Sequence, residues 1–133
     1  MSVDPWALLA TARVARFASI SARTGAPTLI PVTFAIAGET LVHAVDHKPK
    51  RTRELARLAN VRADPRASLL ADEYDDEDWN QLWWVRADGT ARVLDDAPDY
   101  VDLLVARYPQ YRAQRPSGPV IALDVEHITS WRA

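Results

Sequence analysis

The segment from Leu82 to Leu94 constrains the fold more than any other part of the chain, because its polarity alternates without a break. The odd-numbered side chains are all apolar or small, namely Trp83, Val85, Ala87, Gly89, Ala91 and Val93; the even-numbered ones are mostly polar, namely Trp84, Arg86, Asp88, Thr90 and Arg92. The dipeptide Asp88-Gly89 is a common hairpin signal. A hairpin there would pair Val85 with Arg92, however, and would mix polarity on both faces. The alternation therefore predicts one long strand, kinked at Gly89 as barrel strands often are.

Shorter strands and helices precede and follow this segment. The pair Asp4-Pro5 is typical of a helix start, since Asp is a good N-cap and proline suits the first helical position. Periodicity predicts helices over Trp6–Val14, Lys50–Ala59 and Ala97–Tyr108, further strands over Arg16–Ser21, Pro27–Ile36, Thr40–Val45, Arg66–Tyr74 and Val120–Trp131, and a loop over Pro109–Pro119. Three consecutive antiparallel strands with helices inserted later indicate a mainly β fold. We expect a small closed barrel with capping helices rather than a parallel α/β sheet.

Composition narrows the classes of function. A chain of 133 residues is expected to form one domain covering 1–133, and its net charge of -2 does not suggest general binding of nucleic acid. There is no cysteine, which excludes disulfides, thiolate metal sites and a cysteine nucleophile. The three histidines share no ligand-like spacing, so no metal site is predicted. No membrane-spanning run or signal peptide is evident, and a cytoplasmic protein is therefore expected.

Basic residues are concentrated where a strand is predicted to end and a helix to begin. Between Lys48 and Arg66 there are seven basic and two acidic residues, a local charge of +5. Positive side chains in the first turn of a helix oppose the helix dipole, so they are a poor choice for stability. The free amide hydrogens of a helix start also bind anions. The cluster therefore indicates either a phosphate site or a solvated basic face.

Several other side chains have two interpretations. His43 alternates with Leu41 and Val45, which favours a packed structural histidine over a catalytic one. Trp83 shares the apolar phase of its strand and is predicted to lie in the core, whereas Trp84 is expected to face a partner subunit or a cofactor. Trp131, near the chain end, favours an interface. The six acids between Asp72 and Asp78 lack the glycine and glutamate positions of a calcium loop, which favours a solvated loop.

The order of elements resembles the split β-barrel of the pyridoxamine 5′-phosphate oxidase-like superfamily, which binds flavin mononucleotide. The resemblance covers nearly the whole chain and rests on Pro31–Phe34, Asp46–Arg53, Asn60–Ser68 and Trp84–Val93. Three shorter motifs are similar in sequence to those of an actinobacterial branch of probable coenzyme F420-dependent oxidoreductases. These motifs are His47–Arg51, Leu82–Arg86 and Arg107–Tyr111.

This resemblance implies a homodimer with two cofactors at the subunit interface. It implies that the isoalloxazine-type ring lies near Pro31, Val32 and Thr33, and that basic residues after the third strand hold the phosphate. Lys50, Arg51 and Thr52 are the phosphate candidates. The full set of expected cofactor-binding residues is Pro31, Val32, Thr33, Asp46, His47, Lys48, Lys50, Arg51, Thr52 and Trp84.

The leading hypothesis is an oxidoreductase that uses the deazaflavin coenzyme F420 to reduce a small organic acceptor. The coenzyme would carry the hydride, and the protein would supply binding, orientation and exclusion of water. F420 carries an acidic glutamyl tail besides its phosphate, which matches the excess of basic residues. The alternatives are an enzyme that depends on flavin mononucleotide, and a carrier that binds flavin or deazaflavin without turnover. No catalytic residue is assigned.

Overall fold

Two long neighbouring strands form the middle of a curled antiparallel sheet. The computed structural model describes residues 4–45 and 52–133, with only the backbone described for 52–55. The strands are β1 (Ala15–Ile20), β2 (Pro27–Val32), β3 (Ala35–Ala37), β4 (Thr40–Ala44), β5 (Arg66–Glu73), β6 (Trp83–Leu94) and β7 (Val120–Arg132). The helices are α1 (Pro5–Thr11), α2 (Thr52–Ala63), α3 (Pro98–Arg107) and α4 (Pro109–Ala113), with a 3-10 turn at Trp79–Gln81.

The sheet order within these residues is β2-β1-β5-β6-β7-β4-β3, with every pair antiparallel. This arrangement confirms the predicted fold class, a mainly β split barrel with helices. The ladder does not close as a continuous ring within the described residues, because β2 and β3 form its two edges. Pro27 and Pro31 in β2 suit an edge strand, which needs no backbone donor on its outer side.

Strand β6 is continuous through Gly89, as the alternation predicted. It pairs with β5 on one side and with β7 on the other, and a bulge in the β7 ladder shifts the register between Asp88 and Gly89. A Cβ on Gly89 would lie 2.0 Å from the backbone oxygen of Asp124. Only glycine lets the two backbones approach this closely.

The predicted strand over 27–36 is divided into β2 and β3, and this corrects the sequence interpretation. Between these two strands, the backbone amide and carbonyl groups of Phe34 form hydrogen bonds with side chains rather than with a neighbouring strand. The Phe34 amide donates to the Tyr108 hydroxyl at 3.1 Å, and the Phe34 carbonyl accepts from Arg107 at 3.2 Å. Buried backbone groups need partners, and these come from residues more than 70 positions away.

Smaller differences concern the helices. Helix α2 runs to Ala63 rather than Ala59, and the predicted loop after Tyr108 contains α4. The buried apolar positions are Leu8 and Leu9 in α1 and Leu58 and Val61 in α2.

Within the described residues, two apolar clusters hold the structure together. The larger fills the barrel interior; its largest fully buried members are Leu9, Phe17, Phe34, Leu41, Val45, Leu69, Val85, Ile121 and Leu123. Trp83 belongs to this cluster, which confirms its predicted core position. The smaller cluster joins α3 to the other face of β4 and β7 through Val42, Val101, Leu104, Tyr108, Val120 and Ala122.

None of the helices in the described part of the chain has the length and apolar character needed to cross a membrane.

Candidate functional site

The end of β2 and its connection to β3, residues 31–34, are called the β2–β3 crossing. Three of the expected cofactor residues lie there, in three different environments. Pro31 is exposed and lies opposite Arg16 in the β1–β2 ladder. Val32 is buried in the barrel core. Thr33 is half-buried, and its Oγ1 lies 2.8 Å from the Tyr111 hydroxyl. A ligand at this crossing could therefore contact the side chains of Pro31 and Thr33. The side chain of Val32 is packed in the core and would not be available to it.

Three residues from the end of α3 and from α4 fix the shape of this crossing. The guanidinium of Arg107 donates to backbone carbonyls of Phe34, Ala10 and Ala12, and lies 4.7 Å from the centre of the Phe34 ring. The Tyr108 hydroxyl accepts from the Phe34 amide and donates to the carbonyl of Arg13 at 2.9 Å. Tyr111 completes the set through Thr33.

The motif Arg107–Tyr111 was noted in the sequence, but no role was predicted for it. Its bonding partners lie too far away in sequence for periodicity to find them. Burial lowers the pKa of Arg107, while Tyr108 opposes that shift and the nearby Arg13 adds to it. A charged guanidinium that donates hydrogen bonds to several backbone carbonyls holds those segments together. We therefore assign to this motif the role of a structural clamp that positions the β2–β3 crossing.

Five of the expected cofactor-binding residues, Asp46, His47, Lys48, Lys50 and Arg51, lie outside the described residues, and of the phosphate candidate Thr52 only the backbone is described. Helix α2 begins immediately after them, at Thr52, which is two residues later than predicted. In the sequence, the basic residues of 48–51 stand before Thr52, and Arg53 lies within the helix.

At the end of this basic stretch, Arg62 and Arg66 have acidic partners. Arg66 donates two hydrogen bonds to the Asp64 carboxylate, at 3.0 and 2.6 Å. These bonds lower the pKa of Asp64 to about 2. Arg62 lies 3.4 Å from Asp95.

The outer face of the sheet carries the remaining expected residue, Trp84. One row of side chains crosses five strands in register, running Pro31, Arg16, Leu70, Arg86 and Thr129. Trp84 lies in the adjacent row, between Asp72 and Trp131. Pro31 and Trp84 share this face but are separated by three strand spacings of about 4.8 Å each. One chain therefore does not bring Trp84 to the β2–β3 crossing.

A pocket of about 480 Å³ opens beside Trp84 on this outer face. Its walls are aromatic and aliphatic with three charged side chains; the lining residues are Leu70, Asp72, Glu73, Tyr74, Leu82, Trp83, Trp84, Arg86 and Trp131. Pockets of this size and character are typical of small-molecule sites. Strand phase in the sequence singled out Trp83 and Trp84, and position near the chain end singled out Trp131, but neither predicted the pocket.

His43 lies inside the barrel. Its side chain is 2% exposed, and its ring centre is 4.6 Å from that of Phe17. Burial, with a smaller contribution from the charge of Arg57, lowers the pKa of His43 from 6.5 to about 3. The imidazole is therefore neutral at physiological pH, and it occupies the structural position favoured by the sequence.

The acidic segment 72–78 forms local caps. The Asp75 carboxylate accepts from the amides of Glu77 and Asp78, and Asp78 accepts from the amide of Asn80. Across residues 4–45 and 52–133, no group of three or more His, Cys, Asp or Glu side chains is placed to hold a metal ion.

Comparison with known families assigns the chain to a family. The family model described as "Pyridoxamine 5'-phosphate oxidase" matches residues 6–132. The chain belongs to the pyridoxamine 5′-phosphate oxidase family. The match covers β1 to β7 and includes both the β2–β3 crossing and α2. It confirms the superfamily resemblance drawn from the sequence motifs.

Solved structures share the fold of this pyridoxamine 5′-phosphate oxidase family member at low identity. A conserved hypothetical protein from Mycobacterium tuberculosis superposes with a TM-score of 0.76 at 17% identity, covering 99% of this chain and 86% of that one. An FAD binding protein from Mycobacterium smegmatis gives 0.63 at 21%, covering 99% and 95%. The heme storage protein HutZ from Vibrio cholerae gives 0.72 at 16%, covering 99% and 95%. No curated protein sequence matches the chain significantly.

Proposed function

We propose that this family member is an oxidoreductase that binds the deazaflavin coenzyme F420 and reduces a small organic acceptor. The observation that carries the proposal is the group of basic residues Lys48, Lys50 and Arg51 placed directly before the N-terminus of α2, which begins at Thr52. A 12-residue helix offers free amide hydrogens at its start, and adjacent cations add to its affinity for a phosphate. A cytoplasmic location remains part of this proposal.

The phosphate and the acidic tail of the coenzyme would be bound by this basic segment. Asp64 and Asp95 already engage Arg66 and Arg62, so contacts to the tail would come from residues nearer to Lys48. Flavin mononucleotide ends in one phosphate and would need fewer cations. The density of positive charge therefore favours the deazaflavin.

The ring would lie against the exposed side of the β2–β3 crossing. Pro31 offers a rigid apolar surface there, and the Thr33 hydroxyl is held in place by Tyr111. The clamp of Arg107 and Tyr108 fixes the backbone of Phe34, which keeps the crossing in one shape. When bound, the coenzyme supplies the hydride chemistry; the chain binds it, orients it and excludes water.

Trp84 would reach the ring from a second copy of the chain. It shares the outer face with Pro31 but lies three strands away. In a two-fold dimer the same patch meets itself, so Trp84 of one copy can approach Pro31 of the other. A homodimer with shared cofactor sites is the arrangement that makes these expected residues one site.

The experiment is a titration of the purified protein with F420 and with flavin mononucleotide, followed by tryptophan quenching. We expect F420 to bind at least about tenfold more tightly, which corresponds to ~1.4 kcal/mol. Tighter binding of flavin mononucleotide would instead assign the protein to the flavin enzymes. Binding of F420 without consumption of its reduced form by any acceptor would indicate a carrier.

A double variant tests the phosphate site directly. Lys50→Ala with Arg51→Ala should weaken F420 binding by at least about tenfold, because each charge-assisted hydrogen bond contributes roughly 1.5–3 kcal/mol. The matched control is Arg23→Ala with Arg132→Ala, which removes two exposed charges from other parts of the described chain. Equal affinity in the two double variants, with equal melting temperatures, would mean that the basic segment is only a solvated face.

A further inference from the structure

The end of helix α3 carries positive charge that no acidic side chain neutralises within the described residues. Arg13, Arg107 and Arg112 meet there, and none of the three forms an ion pair among residues 4–45 and 52–133. Other arginines of the described chain are paired with an aspartate, namely Arg16, Arg62, Arg66, Arg86, Arg92 and Arg115. Like charges held close together attract an anion that compensates them.

Two of these guanidinium groups lie side by side at the last turn of the helix. Arg13 donates to the carbonyl of Arg107 at 2.8 Å. Arg112 donates to the carbonyls of Val105 and Ala106, at 3.0 Å each. These three carbonyls belong to consecutive residues, whose Cα atoms are about 3.8 Å apart. The two arginines are therefore neighbours in space, although 99 positions separate them in sequence.

Both guanidinium groups keep donors for a ligand. A guanidinium has five N–H donors in a planar fork, and among the described residues Arg13 uses one of them and Arg112 two. The guanidinium carbon of Arg13 also lies 4.6 Å from the centre of the Tyr108 ring, which fixes its orientation. Both side chains are exposed, so a ligand can reach them. The helix end contributes only about half a negative charge, less than the charge of the two arginines.

These arginines adjoin the β2–β3 crossing. The Tyr108 hydroxyl donates to the Arg13 carbonyl at 2.9 Å and accepts from a backbone amide of the crossing at 3.1 Å. Arg112 directly follows Tyr111, whose hydroxyl lies 2.8 Å from Thr33 Oγ1. A molecule held by the two arginines would therefore lie beside the residues expected to contact the coenzyme ring.

We propose that the acceptor is a small organic acid and that Arg13 and Arg112 bind its carboxylate. Guanidinium groups pair with carboxylates through two parallel hydrogen bonds, which fixes both position and orientation. The two arginines bind and orient the acceptor and exchange neither electrons nor protons with it. The identity of the ligand as the acceptor rests on the proposed function; the binding of a carboxylate does not.

The test titrates the protein, without coenzyme, with benzoate and with benzamide, which has nearly the same shape and no charge. The side-chain Nε–H signals of arginine report the site of binding by NMR. We expect benzoate to bind at least about fivefold more tightly than benzamide. The signals of Arg13 and Arg112 should shift, and that of Arg23, which is exposed elsewhere, should stay. Equal affinity for the two probes, or a titration that leaves both expected signals in place, would overturn the inference.

Variants of the two arginines locate the binding energy. Arg13→Gln with Arg112→Gln should abolish the preference for benzoate, whereas the matched control Arg23→Gln with Arg132→Gln, which also removes two exposed arginines, should keep it. Arg13→Lys with Arg112→Lys retains the charge but not the planar fork, so a preference of about twofold should remain. Melting temperatures show that each variant is folded. Equal losses in the glutamine variant and its control would contradict the assignment.

A titration of the same variants with F420 separates the acceptor from the coenzyme. We expect the Arg13→Gln, Arg112→Gln variant to bind F420 as tightly as the unmodified protein, because the proposed phosphate contacts come from Lys50 and Arg51. A parallel loss of F420 and benzoate affinity would show that the arginines hold the acidic tail of the coenzyme, and would overturn the inference. If no form of the protein bound F420 while benzoate binding stayed intact, the proposed function and the identity of the ligand as its acceptor would be refuted, and the carboxylate site would stand.

Discussion

At the scale of single residues, the most informative side chain is the buried His43. Its Nε2 has no hydrogen-bond partner among the described residues, and the ring is packed against Phe17. Charging this imidazole would place a cation in the barrel core near Arg57. That cost is why the pKa of His43 is lowered to about 3.

The lowered pKa makes folding sensitive to acid. The unfolded chain binds a proton at His43 near pH 6.5, and the folded protein does so near pH 3. Between these values the unfolded state holds more protons, so stability falls as pH falls, by at most about 1.4 kcal/mol per pH unit. Replacing His43→Leu should remove this part of the pH dependence, and should leave stability at pH 7 equal or higher because an unpaired polar atom is lost. Urea unfolding at pH 7 and pH 5 measures both effects.

His127 provides the matched control for that prediction. It is exposed on β7, opposite Asp88, so His127→Asn should keep the pH dependence of the unmodified protein. If His43→Leu and His127→Asn gave parallel curves, the acid sensitivity would have to come from other groups.

At the scale of elements, β6 depends on the absence of a side chain at Gly89. The backbone oxygen of Asp124 occupies the position that a Cβ would take. Gly89→Ala should therefore force β6 and β7 apart and destabilise the protein by about 3 kcal/mol, near the upper range for overpacking. Gly38→Ala makes a useful comparison, because Gly38 has a φ of +64° and open space around it. Strain alone should cost about 1–2 kcal/mol there. Urea unfolding should rank Gly89→Ala as the more harmful; the opposite order would mean that the bulge adapts.

The same strand shows which elements could be predicted from the sequence. The alternation around Gly89 depends on side chains of one strand, so the period predicted β6 and excluded the hairpin. The break between β2 and β3 depends on Arg107 and Tyr108, which periodicity near Phe34 does not record. Propensity alone therefore favoured one strand over 27–36, and distant hydrogen bonds decided otherwise.

The candidate site, like the strands, could be predicted only where local sequence determines it. A local count of charges predicted the basic segment from Lys48 to Arg66, within which α2 runs from Thr52 to Ala63; the phosphate site there stays a prediction. The pocket beside Trp84 is formed by three adjacent strands and combines side chains that are far apart in sequence. Strand phase correctly placed Trp84 outside the core, but register was needed to pair it with Trp131.

At the scale of the whole molecule, the outer face of the sheet exposes large apolar side chains that nothing in a single chain covers within the described residues. Leu29 is 68% exposed, Leu70 37% and Trp131 46%, all on the same side of the sheet. Exposed apolar side chains grouped in this way mark interaction surfaces. A typical stable interface covers about 800 Å² on each partner, roughly a tenth of the 8075 Å² surface of this chain.

We therefore expect a homodimer, with light scattering at micromolar concentration giving twice the chain mass of 14.9 kDa. Leu29→Glu should shift the protein towards monomer and weaken F420 binding in parallel, because a buried unpaired charge is costly and the proposed ring site needs both copies. Leu103→Glu is the matched control: Leu103 is 38% exposed but lies on α3, so this variant should remain dimeric. A stable monomer that keeps full affinity for the coenzyme would contradict the shared site and would place all coenzyme contacts within one chain.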